Sequence, residues 1–323
     1  MNLDALPRFS LVSLPTPLHE LSRLSQRLRG PQLLVKRDDL TGLAFGGNKA
    51  RKLEFLIGDA LSAGADTVVT AGASQSNHCR QTAAAAASVG MRCILVLRGD
   101  PPAGCTGNIL LDRLLGAELR FSGQRSREEV MDEIVASELK QGRNPYPIPL
   151  GGSNALGAVA FALAVEELLW QTDVRFDRII FASSSGGTQA GLIAGAHLLG
   201  FHGQILGISV DEPLERLKEI VAPVARETIR LFGGSAAIGI AEVDASADYL
   251  GGGYGVLGAP EREAIRLFAR SEGILLDPVY TGRAAAGMID MIRRGVIGKD
   301  EVILFWHTGG TPALWAYADE LLV

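Results

Sequence analysis

The sequence predicts an α/β protein of two doubly wound domains with mainly parallel sheets, the smaller domain inserted into the larger. Three observations carry this. Short β-branched or aliphatic runs alternate with longer Ala/Leu-rich segments of helical period, which is the pattern of parallel βαβ units. The chain has 323 residues, about twice the ~150 of a typical domain. Glycine-rich turns at Gly46-Gly47 and Gly151-Gly152 bracket a self-contained run of three or four βα units. They place the inserted domain at residues 47–155 and the larger domain at 1–46 plus 156–323.

Taken in order, Gln32–Lys36, Thr67–Ala71, Arg92–Leu97, Arg178–Ala182, Gln204–Ser209 and Val302–His307 read as strands. Between the first two, Leu53, Leu56, Ile57, Ala60, Leu61 and Gly64 recur at i, i+3, i+4 and put an apolar stripe on a helix that begins near Asn48. Further helices follow Asn77 (QTAAAAASVG), Asn108 (ILLDRLLG), Asn154 (ALGAVAFALAVEELL) and Gly187 (TQAGLIAGAHLLG). Each starts just after a polar or glycine-rich turn. Such strand-to-helix junctions are where open α/β sheets bind ligands. Glycine, at 39 residues, stands well above the ~7% average, and it is retained where backbone bends sharply or approaches a ligand.

Composition narrows the function. The chain is 47% hydrophobic and 21% charged, which excludes a disordered, collagenous or coiled-coil protein. Lys+Arg 31 against Asp+Glu 36 gives a net charge of -5, with no block of like charge along the sequence. A nucleic-acid surface is not expected. Cys79, Cys93 and Cys105 make neither a disulfide framework nor paired CxxC units, which fits a reducing compartment. MNLDALPRFS lacks the basic and apolar regions of a signal peptide. The stretch Ile179 to Val210 carries no Asp, Glu, Lys or Arg, but serines, Thr188, Gln189 and glycines interrupt it, so no membrane span is expected. A cytoplasmic location follows as the expectation.

Five polar clusters sit at strand-to-helix junctions. In Gly46-Gly47-Asn48-Lys49-Ala50-Arg51-Lys52, cations in a first helical turn oppose the macrodipole by ~0.3–1 kcal/mol each. The cluster is either a solvated basic turn or holds a lysine whose pKa is lowered by dipole and neighbours, leaving a neutral amine to attack a carbonyl carbon. In Gly72-Ala73-Ser74-Gln75-Ser76-Asn77-His78-Cys79, a lone Ser or Asn would be an N-cap. Six small or polar residues together also offer N–H groups and hydroxyls to a carboxylate. His78 with Cys79 allows a base-and-nucleophile reading, against a Cys that is simply core.

Ser183-Ser184-Ser185-Gly186-Gly187-Thr188 follows the strand RIIFA and can cradle a phosphate on its amides and hydroxyls. It lacks the GxxxxGK[ST] lysine and the GxGxxG spacing, so a phosphate without a nucleotide is left, or else a tight turn. Tyr280-Thr281-Gly282-Arg283, after Asp277-Pro278, and His307-Thr308-Gly309-Gly310-Thr311, after VILFW, place hydroxyls at strand ends. Gly251-Gly252-Gly253-Tyr254-Gly255 reads as a flexible aromatic loop or a disordered surface turn. His19, His197 and His202 have no ligand spacing, so no metal is expected. A reactive lysine, a phosphate cradle and a carboxylate-binding turn are together the parts that hold pyridoxal 5'-phosphate and an amino acid.

LPTPL at Leu14–Leu18, VKRDDLTG at Val35–Gly42, GGNKARKLE at Gly46–Glu54, QSNHCRQTA at Gln75–Ala83, GGSNALG at Gly151–Gly157, SSGGTQAG at Ser184–Gly191, DPVYTG at Asp277–Gly282 and HTGG at His307–Gly310 run in order over the whole chain. With these motifs the sequence resembles the D-cysteine desulfhydrase and 1-aminocyclopropane-1-carboxylate deaminase family, within the tryptophan-synthase-β-like, fold type II pyridoxal phosphate enzymes. The resemblance implies a homodimer in which Lys49 carries the cofactor, Asn77 bonds its phenolic oxygen, and Ser184, Ser185, Gly186, Gly187 and Thr188 hold its phosphate. It also implies that Ser76, with Asn77 and His78, meets the substrate carboxylate or helps move its proton. Tyr254 and Tyr280 would line the substrate side as catalytic residues.

Deaminases of the family look different at two positions, with Glu and Leu where this chain has Thr281 and Thr308. A carboxylate beside the pyridine nitrogen favours the protonated ring, a deep electron sink. A neutral threonine leaves a shallower sink, sufficient when a good leaving group departs from Cβ. The expectation is α,β-elimination of D-cysteine to pyruvate, hydrogen sulfide and ammonia, with Lys49 or a tyrosinate as the Cα base. β-Chloro-D-alanine is an activated analogue. L-Cysteate sulfo-lyase, cyclopropane-ring deaminase, racemase or dehydratase, and non-catalytic binding protein are the alternatives.

Overall fold

The computed structural model describes residues 6–322. Met1 to Ala5, part of the stretch read above for a leader, lie outside the described residues. The chain begins with strand β1 (Leu18–Glu20), helix α1 (Ser22–Leu28), strand β2 (Gln32–Arg37) and helix α2 (Asn48–Ser62). There follow β3 (Thr67–Gly72), α3 (Asn77–Ser88), β4 (Arg92–Leu97), α4 (Asn108–Leu114), β5 (Glu118–Phe121), α5 (Arg127–Lys140) and β6 (Pro145–Pro147). The second half holds α6 (Ala155–Gln171), β7 (Arg178–Ser183), α7 (Gly187–Leu199), β8 (Gln204–Ser209), α8 (Leu214–Leu231), β9 (Ala245–Ser246), α9 (Ala259–Glu272), α10 (Thr281–Arg293) and β10 (Val302–His307).

Among the described residues ten strands form two sheets, ordered β1-β2-β10-β7-β8-β9 and β5-β4-β3-β6. Every pairing is parallel except β1 with β2. In the larger sheet alternate side chains feed opposite layers, as a pleated strand requires. Leu33, Val35, Ile303 and Phe305 pack with α1, α9 and α10. Leu34, Leu304 and Trp306 pack with α6, α7 and α8. Each fully buried side chain of this size contributes ~1.5–3 kcal/mol.

Helix α2 joins the two sheets. Leu53, Leu56, Ile57 and Ala60 face the smaller sheet with Val68 and Leu95, whereas Phe55 packs on Val159 and Ala160 of α6. The basic turn at its start resolves partly here. The buried Arg51 guanidinium bonds Asp38 Oδ1 at 2.8 Å and Glu167 Oε2 at 2.9 Å, and the Trp306 indole N–H donates to Asp38 Oδ2 at 2.9 Å. Arg51 therefore anchors α2 to the end of β2 and to α6, and it has no part in the ligand cavity.

Candidate active site

The start of α2 is pinned between the carboxyl end of β10 and the first turn of α7. Asn48 N–H donates to the Thr308 carbonyl at 3.0 Å, and its Nδ2 donates to Thr188 Oγ1 at 3.0 Å. Lys49 is thereby carried into a cavity of about 330 Å³ that lies at the carboxyl ends of β3, β7, β8 and β10. Burial lowers the Lys49 ammonium from 10.5 to about 8, against a raising influence of Lys52 and Asp211.

Lys52, missed as a site residue from sequence, lies one helical turn on. Its Nζ donates to the Gly151 carbonyl at 3.1 Å and to Ser153 Oγ at 3.2 Å. Burial first, and the charge of Lys49 second, push it well below its ordinary value. The i, i+3 spacing of the two lysines on one helix face was the available signal.

Ser153 continues the connection. Its Oγ is 2.8 Å from Ser185 Oγ and accepts the Gly187 N–H at 3.2 Å. Gly186, at φ +79°, turns the chain so that the first turn of α7, with N–H groups that lack helix partners, opens beside Ser185 and Thr188. Space there is tight. A Cβ at Gly151 would lie 2.2 Å from Ser185 Oγ and 3.2 Å from Lys49 Nζ. Two members of the expected phosphate set are placed differently. Ser184 lines the cavity, but its hydroxyl donates to Asp211 Oδ2 at 2.9 Å. Gly187 stands behind the lining with its N–H on Ser153.

On the side of the smaller sheet, Ser76 caps α3, its Oγ accepting the Cys79 N–H at 3.2 Å. Its own O–H stays available as a donor. Asn77 Oδ1 accepts from Arg80 Nη1 at 2.8 Å and Asn108 Nδ2 at 3.1 Å, so the amide is fixed with Nδ2 as its free donor. His78 Nε2 is 2.9 Å from Thr70 Oγ1, whose hydrogen goes to the Ile148 carbonyl. Nε2 therefore carries the ring proton, and Nδ1 is a buried lone pair without a partner. Burial, then the charges of Lys49 and Lys52, keep His78 well below its ordinary pKa. Cys79 packs in the apolar core against the smaller sheet, and burial pushes its thiol up. The nucleophile reading of Cys79 is thus overturned.

Tyr254 and Tyr280 line the side of the larger sheet. The glycine-rich loop around Tyr254, expected to be free, is tied down. Buried Arg283 donates to the Gly253 carbonyl at 3.0 Å, the Val256 carbonyl at 2.9 Å and the Val210 carbonyl at 2.8 Å, and Tyr317 Oη donates to the Gly255 carbonyl at 2.8 Å.

Thr308 lines the cavity. Thr281, expected beside the cofactor, does not. It is fully buried, its hydroxyl donates to Asp277 Oδ1 at 2.7 Å, and its oxygen accepts the Asp277 N–H at 2.8 Å. Asp277 also accepts the N–H groups of Val279, Tyr280 and Thr281. The DPVYTG segment is therefore a helix cap for α10, with both hydrogen-bonding functions of Thr281 spent inside it. Asp211, two residues after β8, also escaped the sequence reading, although a strand's carboxyl end was the place to look.

The donor set fits pyridoxal 5'-phosphate. An amine held near 8 suits an aldehyde, the start of α7 with Ser185, Gly186 and Thr188 suits a phosphate, and Lys52 with Ser153 supports that cradle from below. A profile of the pyridoxal-phosphate dependent enzyme family matches residues 10–309. The 1-aminocyclopropane-1-carboxylate deaminase of Burkholderia vietnamiensis is 43% identical over 99% of this chain and 98% of its own. The D-cysteine desulfhydrase of Salmonella typhi is 42% identical over 98% of each. The crystal structure of an ACC deaminase homologue superposes with a TM-score of 0.91 at 41% identity, covering 99% of this chain and 96% of that one.

Proposed function

The chain belongs to the pyridoxal-phosphate-dependent enzyme family and is a lyase of the group that holds these deaminases and desulfhydrases, and from that premise we propose that it eliminates sulfide from D-cysteine, giving pyruvate, hydrogen sulfide and ammonia. The observation that carries this reading is Thr308. It lines the cavity and carries a small neutral hydroxyl where the deaminases look to have leucine. A polar wall there accommodates a thiol-bearing Cβ and is ill matched to an apolar ring.

Bound at Lys49, the cofactor supplies an electron sink for charge developing at Cα. Lys49 Nζ, held near 8 by burial, is the group able to take the Cα proton at neutral pH. Tyr254 and Tyr280 are poor bases, because burial pushes both phenols up. Asn77 Nδ2, with its oxygen occupied, presents a donor to the cofactor's phenolic oxygen. The free O–H of Ser76 and the start of α3 suit the substrate carboxylate. Ser185, Gly186 and Thr188 would hold the phosphate.

The test is a panel of D-cysteine, L-cysteine, L-cysteate and 1-aminocyclopropane-1-carboxylate, with sulfide, sulfite and ammonia measured separately. Sulfide from D-cysteine at the highest kcat/KM supports the reading. Sulfite from L-cysteate, or ammonia from the cyclopropane amino acid, at a higher kcat/KM overturns it.

A further inference from the structure

The two walls of the cavity carry opposite charge. Arg98, directly after β4, and Arg127, the first residue of α5, line it from the small domain. Arg98 N–H donates to the carbonyl of Gly72 at 2.9 Å, which holds this residue beside the turn that carries Ser76. Neither guanidinium has a hydrogen-bond or ion-pair partner among the described residues, although both are cations in a chain of net charge -5. Asp211 and Glu212 line the opposite wall. Asp211 is near enough to act on the charge of Lys49 and on the phenols of Tyr254 and Tyr280, and Arg127 is near enough to act on Asp211.

An α-amino acid is itself a dipole with a carboxylate at one end and an ammonium at the other. We propose that this polarised cleft orients the entering zwitterion, Arg127 with Arg98 drawing the carboxylate toward the Ser76 turn while Asp211 with Glu212 draws the ammonium toward Lys49. The reverse orientation sets carboxylate against Asp211 and ammonium against Arg127, and like-charge juxtaposition is how a site rejects a wrong pose. Arg127 and Asp211 are positioning residues, acting before any bond to the substrate changes. The inference rests on the reading that the substrate is an α-amino acid. It does not depend on which one.

Two single variants of the holoenzyme test it. Arg127→Gln removes a charge from a half-buried position at a helix start, and Asp211→Asn keeps an acceptor for Ser184. Each is expected to raise KM for the amino acid turned over about tenfold with kcat within about twofold, and to flatten the fall of kcat/KM with ionic strength, because steering is lost to salt. Half-molecules then separate the two walls by equilibrium binding, followed through the visible absorption band. Binding of 3-mercaptopropionate, which has the carboxylate only, weakens in Arg127→Gln and not in Asp211→Asn. Cysteamine, which has the amine only, shows the converse. Unchanged KM and salt dependence, or equal effects of both variants on both half-molecules, overturns the proposal. Failure of D-cysteine turnover overturns the function proposed above and leaves the half-molecule result to decide this one.

Discussion

The hydroxyls of Tyr254 and Tyr280 share a hydrogen bond of 2.6 Å, with their rings edge-on at 6.0 Å between centroids. Each holds the other in place at the substrate side of the cavity, and burial raises both pKa values, so neither phenol ionises at neutral pH. A general base contributes roughly 10²–10⁴ in rate. Tyr254→Phe and Tyr280→Phe are therefore expected to lower turnover by less than that range and to leave the shape of the pH-rate profile unchanged. Steady-state kinetics from pH 6 to 10 check this, and a loss within the range would return the base to a tyrosine.

Lys49 is the more exacting case, because its role in chemistry opposes its role in stability. Its pKa in the folded chain, about 8, lies below the ordinary 10.5. Between these values the unfolded chain binds more protons, so stability of the apoprotein rises with pH through that window and is lowest at neutral pH. Lys49→Met removes the charge and is expected to stabilise the apoprotein by up to about 3 kcal/mol at pH 7, a gain that fades above pH 10. The same variant loses cofactor attachment and turnover. Urea unfolding of both apoproteins at pH 7 and pH 10 measures the first effect, and visible absorption with a sulfide assay the second.

Thr308 and Thr281 separate under mutation. Thr308→Leu makes the cavity wall apolar, and a several-fold loss of sulfide release is expected with the fold intact. Thr281→Glu would set a second carboxylate against fully buried Asp277 and break two hydrogen bonds of the α10 cap. Each lost bond that leaves a buried partner unsatisfied costs about 1–3 kcal/mol, before the charge repulsion. Thermal unfolding should therefore distinguish Thr281→Glu, which melts early, from Thr308→Leu, which does not.

Asp112, on α4, is fully buried with neither carboxylate oxygen hydrogen-bonded. Burial raises it from 3.8 to about 8, against the opposing pull of Arg80. The folded chain thus binds more protons than the unfolded one between these values, and stability falls as pH rises through the window. Asp112→Asn is expected to be neutral near pH 4 and stabilising by a few kcal/mol, roughly, near pH 8. Equal unfolding midpoints for the two proteins at pH 8 would show that the carboxylate has an unrecognised partner.

The six strands readable from sequence, among them Arg178–Ala182 and Val302–His307, are all interior strands, and the four not read are the edges of the two sheets. Covered on both faces, an interior parallel strand is a continuous apolar run such as IIFA or ILFW. An edge strand is short and half exposed, so Glu118–Phe121, Pro145–Pro147 and Ala245–Ser246 carry no such signature. Helix starts were legible because capping is local, as at Asn154, whose Oδ1 accepts the Gly157 N–H at 2.9 Å.

The sequence by itself determined the α/β class, the interior strands and the type of cofactor, since each depends on a few consecutive residues and the period of one element. Tertiary structure decided what each polar group does. Three cations in one turn of α2 separated into Lys49 in the cavity, Lys52 beneath the cradle, and Arg51 in an ion-pair cluster with Asp38 and Glu167. Thr281 was withdrawn into a helix cap, and Asp211 was brought to the wall opposite Arg127. Spacing along a chain sets which side chains share a face. Several of the charges and hydrogen-bond partners that meet them come from residues more than a hundred positions away, as Arg51 meets Glu167 and Asn48 meets Thr188.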